Sequence, residues 1–151
     1  LLARDPSILA EAIERSCAIK AEVVAQDERE GGLRAILNFG HTFGHAIEQV
    51  QGYGAWLHGE AVAVGMLIAA KISANRGCLN ASTVTELEQF LLYFGLPVAA
   101  PKDMDAAVFL RAMRTDKKVT GGQIRYILLS ALGKASIVDD VSADEMTAAI
   151  G

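Results

Sequence analysis

The ten residues from Ala61 to Ala70 read AVAVGMLIAA and contain no polar side chain. They lie inside a longer stretch, residues 59–76, that is rich in Ala, Val, Gly and Met on all sides. A helix that is apolar all round has to be covered by other elements, so we predict a central, buried helix. The apolar run is about half of the roughly 20 residues needed to span a bilayer, which indicates a core helix and not a membrane segment.

The segments around this helix predict a mainly α-helical domain with a small β-hairpin. The first predicted helix covers residues 5–27, with Asp5 as its N-cap and Pro6 at its first position. Ser142 and Glu145 form a capping box for a last helix. Further helices are predicted at 33–50, 82–94 and 105–113, and the strands of the hairpin at 124–129 and 135–138, with Gly133 in the turn.

Composition limits the class of protein. A chain of 151 residues fits one domain, and its formal net charge of −4 argues against general binding to nucleic acid or to an anionic membrane. The chain has two cysteines, Cys17 and Cys78, and its first residues do not resemble a signal peptide. We therefore expect free thiols in a reducing cytoplasm.

All three histidines, His41, His45 and His58, lie within eighteen positions. His41 and His45 are four residues apart, so on a helix they project from one face. His58 follows a short connection containing Gly, Tyr and Trp, and a chain reversal there could return it to the first pair. Glu60 could add an oxygen ligand or a partner for a ligating imidazole. The cluster predicts a metal centre, although single histidines among apolar residues are more often hydrogen-bonded core residues.

Polar residues also follow one stripe of the predicted helix over residues 33–50. Arg34, Asn38, His41 and His45 are spaced four, three and four apart, whereas apolar residues occupy the opposite face. An exposed amphipathic helix rarely aligns an arginine, an amide and two imidazoles without intervening lysine or glutamate. The stripe therefore predicts the floor of a polar site.

The run LNFGHTFGHAIE, joined to GYGAWLHGEAVAVGM, closely resembles the core signature of the 3-dehydroquinate synthase family. The resemblance extends through KAEVVAQDEREGGLR and DKKVTGGQIRYILLSALGKA, so it covers about residues 17–135. It implies the helical C-terminal domain of that fold. It also implies a shikimate-pathway enzyme that converts 3-deoxy-D-arabino-heptulosonate 7-phosphate to 3-dehydroquinate and phosphate. Such enzymes use NAD and a divalent metal, zinc or cobalt, and act as cytoplasmic homodimers.

The resemblance assigns roles to the histidines unevenly. It makes His41 and His58 metal ligands, and it supplies the third ligand from a glutamate upstream of this chain. Asn38 and His45 are implied to face the substrate phosphate. Helical spacing alone would have made both His41 and His45 ligands.

The resemblance also assigns roles to cationic residues that would otherwise be read as solvated charges. Lys20 and Arg34 are implied to hold the substrate carboxylate, a planar group that suits the two parallel bonds of an arginine. Either Lys117 or Lys118 is implied to contact the phosphate.

Complete members of this family are more than twice as long and carry an N-terminal nucleotide-binding half. This chain begins at Leu1 and contains no G-x-G-x-x-G loop. We therefore expect that residues 1–151 form the C-terminal metal- and substrate-binding domain, that NAD is bound mainly by a half absent from this chain, and that the chain folds without catalysing the reaction alone.

Three alternatives stay open. A related sugar-phosphate cyclase whose substrate has no carboxylate would have less use for Lys20 and Arg34. A metal-dependent alcohol dehydrogenase would not need Asn38 and His45 facing a phosphate. A stand-alone helical binding module, without enzymatic activity, would need no upstream half.

Overall fold

The structure is a computed structural model that divides the chain into two compact units, Leu1–Leu37 and Asn38–Gly151. It describes residues 1–27, 32–52, 54–117 and 124–150, without the side chains of 116 and 117. Within these ranges no helix is long and apolar enough to cross a membrane.

The first unit contains helix α1, Pro6–Gln26. The Asp5 carboxylate accepts hydrogen bonds from the backbone N–H groups of Ser7 (2.9 Å) and Ile8 (3.1 Å), which confirms the predicted N-cap. A hydrogen bond from the Ser7 hydroxyl (2.6 Å) is the largest cause that lowers the pKa of Asp5, and the two backbone bonds add to it. A 3₁₀ helix, Leu33–Asn38, then leads into the second unit.

The second unit holds five further helices and one hairpin among its described residues. The helices are α2 (His41–Gln51), α3 (His58–Asn75), α4 (Ala81–Tyr93), α5 (Ala106–Lys117) and α6 (Ala143–Ile150), and the strands are β1 (Tyr126–Ala131) and β2 (Lys134–Val138). The mainly α-helical class and the small hairpin are thus confirmed. The hairpin is antiparallel, with Tyr126 opposite Val138.

The prediction of one continuous helix over residues 33–50 is wrong. The 3₁₀ helix ends at Asn38, and Gly40 adopts a φ of +83°, a left-handed conformation that glycine reaches without strain. The α-helix starts anew at His41. Arg34, Asn38, His41 and His45 therefore do not share one helical stripe, and only the two histidines lie on the same α-helix.

Helix α3 is the centre of the second unit, as predicted. It packs against α2, α4, α6 and β1, and ten of its eighteen residues are buried. The buried polar residue is Ser73, whose hydroxyl donates to the Ala69 carbonyl (2.7 Å) and accepts from the Leu129 N–H (2.9 Å). The hydroxyl thereby ties β1 to the central helix.

Close backbone contact between α2 and α3 depends on glycine. A Cβ added to Gly65 would overlap the carbonyl oxygen of Gly40 and lie 3.0 Å from the backbone nitrogen of Gly44. A Cβ added to Gly44 would lie 3.1 Å from the Cα of Val62. Residues without a Cβ at these points allow the two histidine-bearing helices to approach each other.

Ion pairs connect the last helix, α6, to the end of the central helix, α3. Ser142 and Glu145 form the predicted capping box, with the Ser142 N–H donating to Glu145 (2.9 Å) and the Glu145 N–H to the Ser142 hydroxyl (3.2 Å). Arg76, which follows α3, donates from Nε to Glu145 (2.6 Å) and from Nη1 to Asp140 (2.9 Å). The hydrogen bond from Arg76 lowers the pKa of Glu145 to about 2, and the same contacts raise the pKa of Arg76.

Candidate metal centre

The three histidines lie within the first two turns of two helices. His41 is the first residue of α2 and His45 follows one turn later, whereas His58 is the first residue of α3. The backbones of α2 and α3 come close together at their glycines. Gly40 meets Gly65 and Gly44 meets Val62, so the two helices run in opposite directions along this contact.

The imidazole rings form a compact cluster. Ring centroids are 5.6 Å apart for His41 and His45, 5.2 Å for His41 and His58, and 5.9 Å for His45 and His58. The predicted chain reversal that returns His58 to the first pair is therefore confirmed.

A carboxylate that the sequence analysis did not single out joins this cluster. The Glu48 oxygens lie 3.2 and 3.3 Å from Nδ1 of His58. One potential ligand atom from each of His45, Glu48 and His58 lies within 4.8 Å of the others, a spacing that could hold a metal ion. Helical periodicity could have found Glu48, because it follows His45 by three residues and His41 by seven on the same helix.

The ring nitrogens of the histidines have different surroundings. Nδ1 of His41 is 3.4 Å from the carbonyl oxygen of Phe39, and Nδ1 of His58 faces Glu48. Among the described residues, His45 has no hydrogen bond at either ring nitrogen. Burial lowers the pKa of His41, and the neighbouring His45 and His58 add to this effect against the opposing Phe39 contact. His41 therefore favours the neutral form, the form that can donate a lone pair.

Glu60, the acidic residue that sequence analysis associated with the histidines, has another contact in the structure. Its carboxylate accepts a hydrogen bond from the Leu57 N–H at 2.9 Å and so caps the start of α3. It supports the helix that presents His58, and the carboxylate in contact with an imidazole is Glu48.

Imidazole nitrogens together with a carboxylate suit zinc or cobalt. Both ions accept nitrogen and oxygen ligands, and a catalytic site needs only about three protein ligands with a position left for substrate. His58 is half-exposed, at 56% of its side-chain surface, so the cluster is open to solvent on one side. The donor set of this cluster therefore fits a divalent metal.

The predicted substrate residues lie in different parts of the chain. Asn38 is exposed at the end of the 3₁₀ helix, in the unit that holds the histidines. Lys20 and Arg34 belong to the first unit, where Lys20 is exposed on α1 and the Arg34 N–H donates to Asp27 (3.0 Å). Their joint role with the histidines stays a prediction. The Lys117 side chain and all of Lys118 lie outside the described residues, so the phosphate contact assigned to one of them stays a prediction too.

The chain is similar to one well-defined family. The family model for the 3-dehydroquinate synthase C-terminal region matches residues 1–119. The chain is 50% identical over 144 residues to the 3-dehydroquinate synthase of Colwellia psychrerythraea, covering 95% of this chain and 41% of that protein. It is 54% identical over 150 residues to the 3-dehydroquinate synthase of Nitrosococcus oceani, covering 99% of this chain and 42% of that protein.

Solved structures share the fold. The 2-epi-5-epi-valiolone synthase from Streptomyces hygroscopicus with NAD+ and Zn2+ bound matches with a TM-score of 0.83 and 26% identity, over 96% of this chain and 40% of that one. A 2-deoxy-scyllo-inosose synthase complexed with carbaglucose-6-phosphate, NAD+ and Co2+ matches with a TM-score of 0.76 and 27% identity, over 97% of this chain and 41% of that one. The chain thus spans about two fifths of the length of the proteins it matches.

Proposed function

Because this chain belongs to the 3-dehydroquinate synthase C-terminal family, we propose that it is the metal- and substrate-binding part of a 3-dehydroquinate synthase. The reaction converts a seven-carbon keto-acid sugar phosphate to a carbocycle with release of phosphate. The observation that carries the proposal is the convergence of His41, His45 and His58, the histidines of the family signature, on one open cluster.

We propose His41 and His58 as the metal ligands. Ligating histidines almost always donate their second ring N–H to a carboxylate or a backbone carbonyl, which fixes the tautomer. His58 has such a partner in Glu48, and His41 has one in the Phe39 carbonyl, whereas His45 has none among the described residues. The spacing of His45, Glu48 and His58 alone would favour His45 as a ligand. The hydrogen-bond partners weigh against that reading, and they leave His45 for the phosphate.

The remaining site residues would hold the two anionic ends of the substrate. Asn38 and His45 are exposed in the same unit and offer an amide and an imidazole to the phosphate. Lys20 and Arg34 would hold the carboxylate, the arginine through two parallel charge-assisted bonds. Lys117 or Lys118 would add a further phosphate contact.

Positioning is the main contribution of these side chains. Holding a reactant in productive geometry can supply roughly 7 to 11 kcal/mol of barrier reduction in favourable cases. A bound zinc or cobalt ion would supply Lewis-acid polarisation of the hydroxyl that is oxidised. His41 favours the neutral form because of its burial and can offer a lone pair without first losing a proton.

The complete protein would contain a further region. Its relatives are more than twice as long as this chain, and solved relatives of the same fold bind NAD+ together with Zn2+ or Co2+. We propose that NAD and the third metal ligand come from this N-terminal region. We further propose a cytoplasmic homodimer that acts on a small sugar phosphate, an environment consistent with the free thiols of Cys17 and Cys78.

The proposal is tested by measuring metal content and turnover in the complete polypeptide. His41→Ala and His58→Ala should each lose most of the bound zinc together with phosphate release. His45→Ala should retain zinc and lose turnover. Emission spectroscopy of the dialysed proteins measures the metal, and a colorimetric phosphate assay with NAD present measures the reaction. Loss of zinc in His45→Ala with retention in His41→Ala would overturn the ligand assignment.

A second candidate is a related cyclase acting on a sugar phosphate without a carboxylate. The high TM-scores to such cyclases favour a common fold, but the identity to 3-dehydroquinate synthases is about twice as high. Turnover of a carboxylate-free sugar phosphate, with none of the keto-acid substrate, would favour this candidate.

A further inference from the structure

We propose that Glu48 is a positioning residue for the metal centre: its carboxylate holds the ring proton of His58 on Nδ1 and thereby directs the Nε2 lone pair to the metal. This inference rests on the proposed function, because it assumes that His58 is a ligand. It adds a residue, Glu48, to which the sequence analysis assigned no role.

The Glu48 side chain is only 15% exposed, although it carries a charge. A carboxylate removed from water needs a hydrogen-bond donor to offset the cost of desolvation. Within the part of the chain that the structure describes, the donor available to Glu48 is Nδ1 of His58, at 3.2 and 3.3 Å from its two oxygens.

Helix α2 supplies no cationic partner for Glu48. The residues three and four positions from Glu48 are Gly44, His45 and Gln51 on α2 and Gly52 directly after it. None is a lysine or arginine, so the helix offers Glu48 no cation of the kind that usually pairs with a glutamate at this spacing. The pairing with His58 is therefore a contact between two helices and not a by-product of helix formation.

The contact with Glu48 determines which ring nitrogen of His58 carries the proton. An ionised carboxylate only accepts hydrogen bonds, so the nitrogen that faces Glu48 has to carry the hydrogen. In a neutral imidazole the other nitrogen, Nε2, then holds the lone pair. The two nitrogens point in widely different directions from the ring, so the lone pair is turned away from Glu48. A carboxylate in this position also makes the imidazole a stronger ligand.

The tautomer of His58 is the direct readout. Two-bond proton–nitrogen correlation spectra of the metal-free chain, recorded at mildly alkaline pH, distinguish the two neutral forms. We expect the Nδ1–H form in the wild type. We expect a shift towards the Nε2–H form in Glu48→Ala, and a mixture in Glu48→Gln, whose amide oxygen still accepts a hydrogen bond. A merely structural role for Glu48 would not move this equilibrium.

The metal affinity of the complete polypeptide is the second readout, with Zn2+ as the probe and a chromophoric chelator as competitor. Losing an outer partner of a ligating histidine typically costs about 10- to 100-fold in affinity, and we expect Glu48→Gln to fall in this range. Glu60→Gln is the matched control, because Glu60 is a nearby carboxylate that caps α3 without contacting an imidazole. It should leave zinc affinity and the His58 tautomer unchanged.

The outcomes separate this inference from the proposed function. Unchanged zinc affinity in His58→Ala would refute the metal site itself. Zinc binding that depends on His58, with Glu48→Gln and Glu60→Gln behaving alike, would refute only the role of Glu48. The inference is also wrong if wild-type His58 is in the Nε2–H form. It is equally wrong if a crystal structure of the Zn2+-loaded protein places a Glu48 oxygen at about 2.0 to 2.2 Å from the ion, because Glu48 would then be a direct ligand.

Discussion

Replacing Gly65 by Ala should separate the two helices that carry the histidines. The added Cβ would overlap the Gly40 carbonyl oxygen and lie 3.0 Å from the Gly44 backbone nitrogen. Ordinary carbon contacts need about 3.5 to 4.0 Å. All of these neighbours are backbone atoms, so no side chain can rotate away and α2 has to move as a unit.

The expected loss of stability is the difference between two effects. Forcing an extra methyl group into a packed contact costs typically 1 to 3 kcal/mol, and a backbone obstacle places this site at about 3. Alanine in place of glycine in a helix regains roughly 0.5 to 1 kcal/mol. The net loss is therefore about 2 kcal/mol, which lowers the melting temperature of a chain of this size by about 4 to 8 °C.

Gly59→Ala is the matched control, because Gly59 lies in the same helix and nothing lies within 4 Å of its added Cβ. This variant should match the wild type or be stabilised by up to about 1 kcal/mol. Thermal unfolding followed by far-ultraviolet circular dichroism measures both variants. A Gly65→Ala protein that melts at or above the temperature of Gly59→Ala would refute the close approach of α2 and α3. If the approach is real, Gly65→Ala should also bind zinc more weakly, because His58 moves away from His41.

The depressed pKa of Glu145, about 2, means that its pairing with Arg76 stabilises the folded state above the ordinary carboxyl titration range. At neutral pH, the free energy of unfolding measured in urea should therefore be about 1 to 3 kcal/mol lower for Glu145→Gln than for the wild type. This difference should shrink as pH falls from about 4.5 towards 2. A difference that does not change with pH would exclude the ion pair as its source. In the complete polypeptide, Arg34→Lys should weaken substrate binding much more than NAD binding, since a lysine cannot reproduce the arginine fork. Calorimetric titration with substrate and with NAD tests this prediction. If Arg34→Lys weakens the binding of both ligands equally, Arg34 supports the fold and does not hold the substrate.

Local chemistry accounts for the elements that sequence analysis predicted well. Asp5 caps α1 and Glu145 caps α6 through bonds to residues two or three positions away, so a short window of sequence contains everything these helix starts require. The uninterrupted apolar run from Ala61 to Ala70 likewise determines that α3 is the buried centre, because no orientation of such a helix places a polar face towards solvent.

The break before His41 could not be predicted in the same way. The apolar spacing of residues 33–50 continues through Gly40 as if the helix were unbroken, and glycine tolerates both helical and left-handed backbone. Its φ of +83° is selected by contact with α3, where Gly40 meets Gly65 from a distant part of the chain. A pattern read along one segment contains no information about that partner.

Some features of the candidate metal centre likewise follow from the sequence, and others follow only from tertiary packing. The sequence by itself determined that His41 and His45 share a helical face and that His58 begins the next helix, since both follow from spacing and from where helices start. Only the tertiary structure decided that His58 lies 5.2 Å from His41 between ring centroids and that Glu48, not Glu60, contacts an imidazole. These contacts depend on the separation of two packed helices, which is set where Gly40 and Gly44 meet Gly65 and Val62 of the other helix. Periodicity within one helix cannot specify that separation.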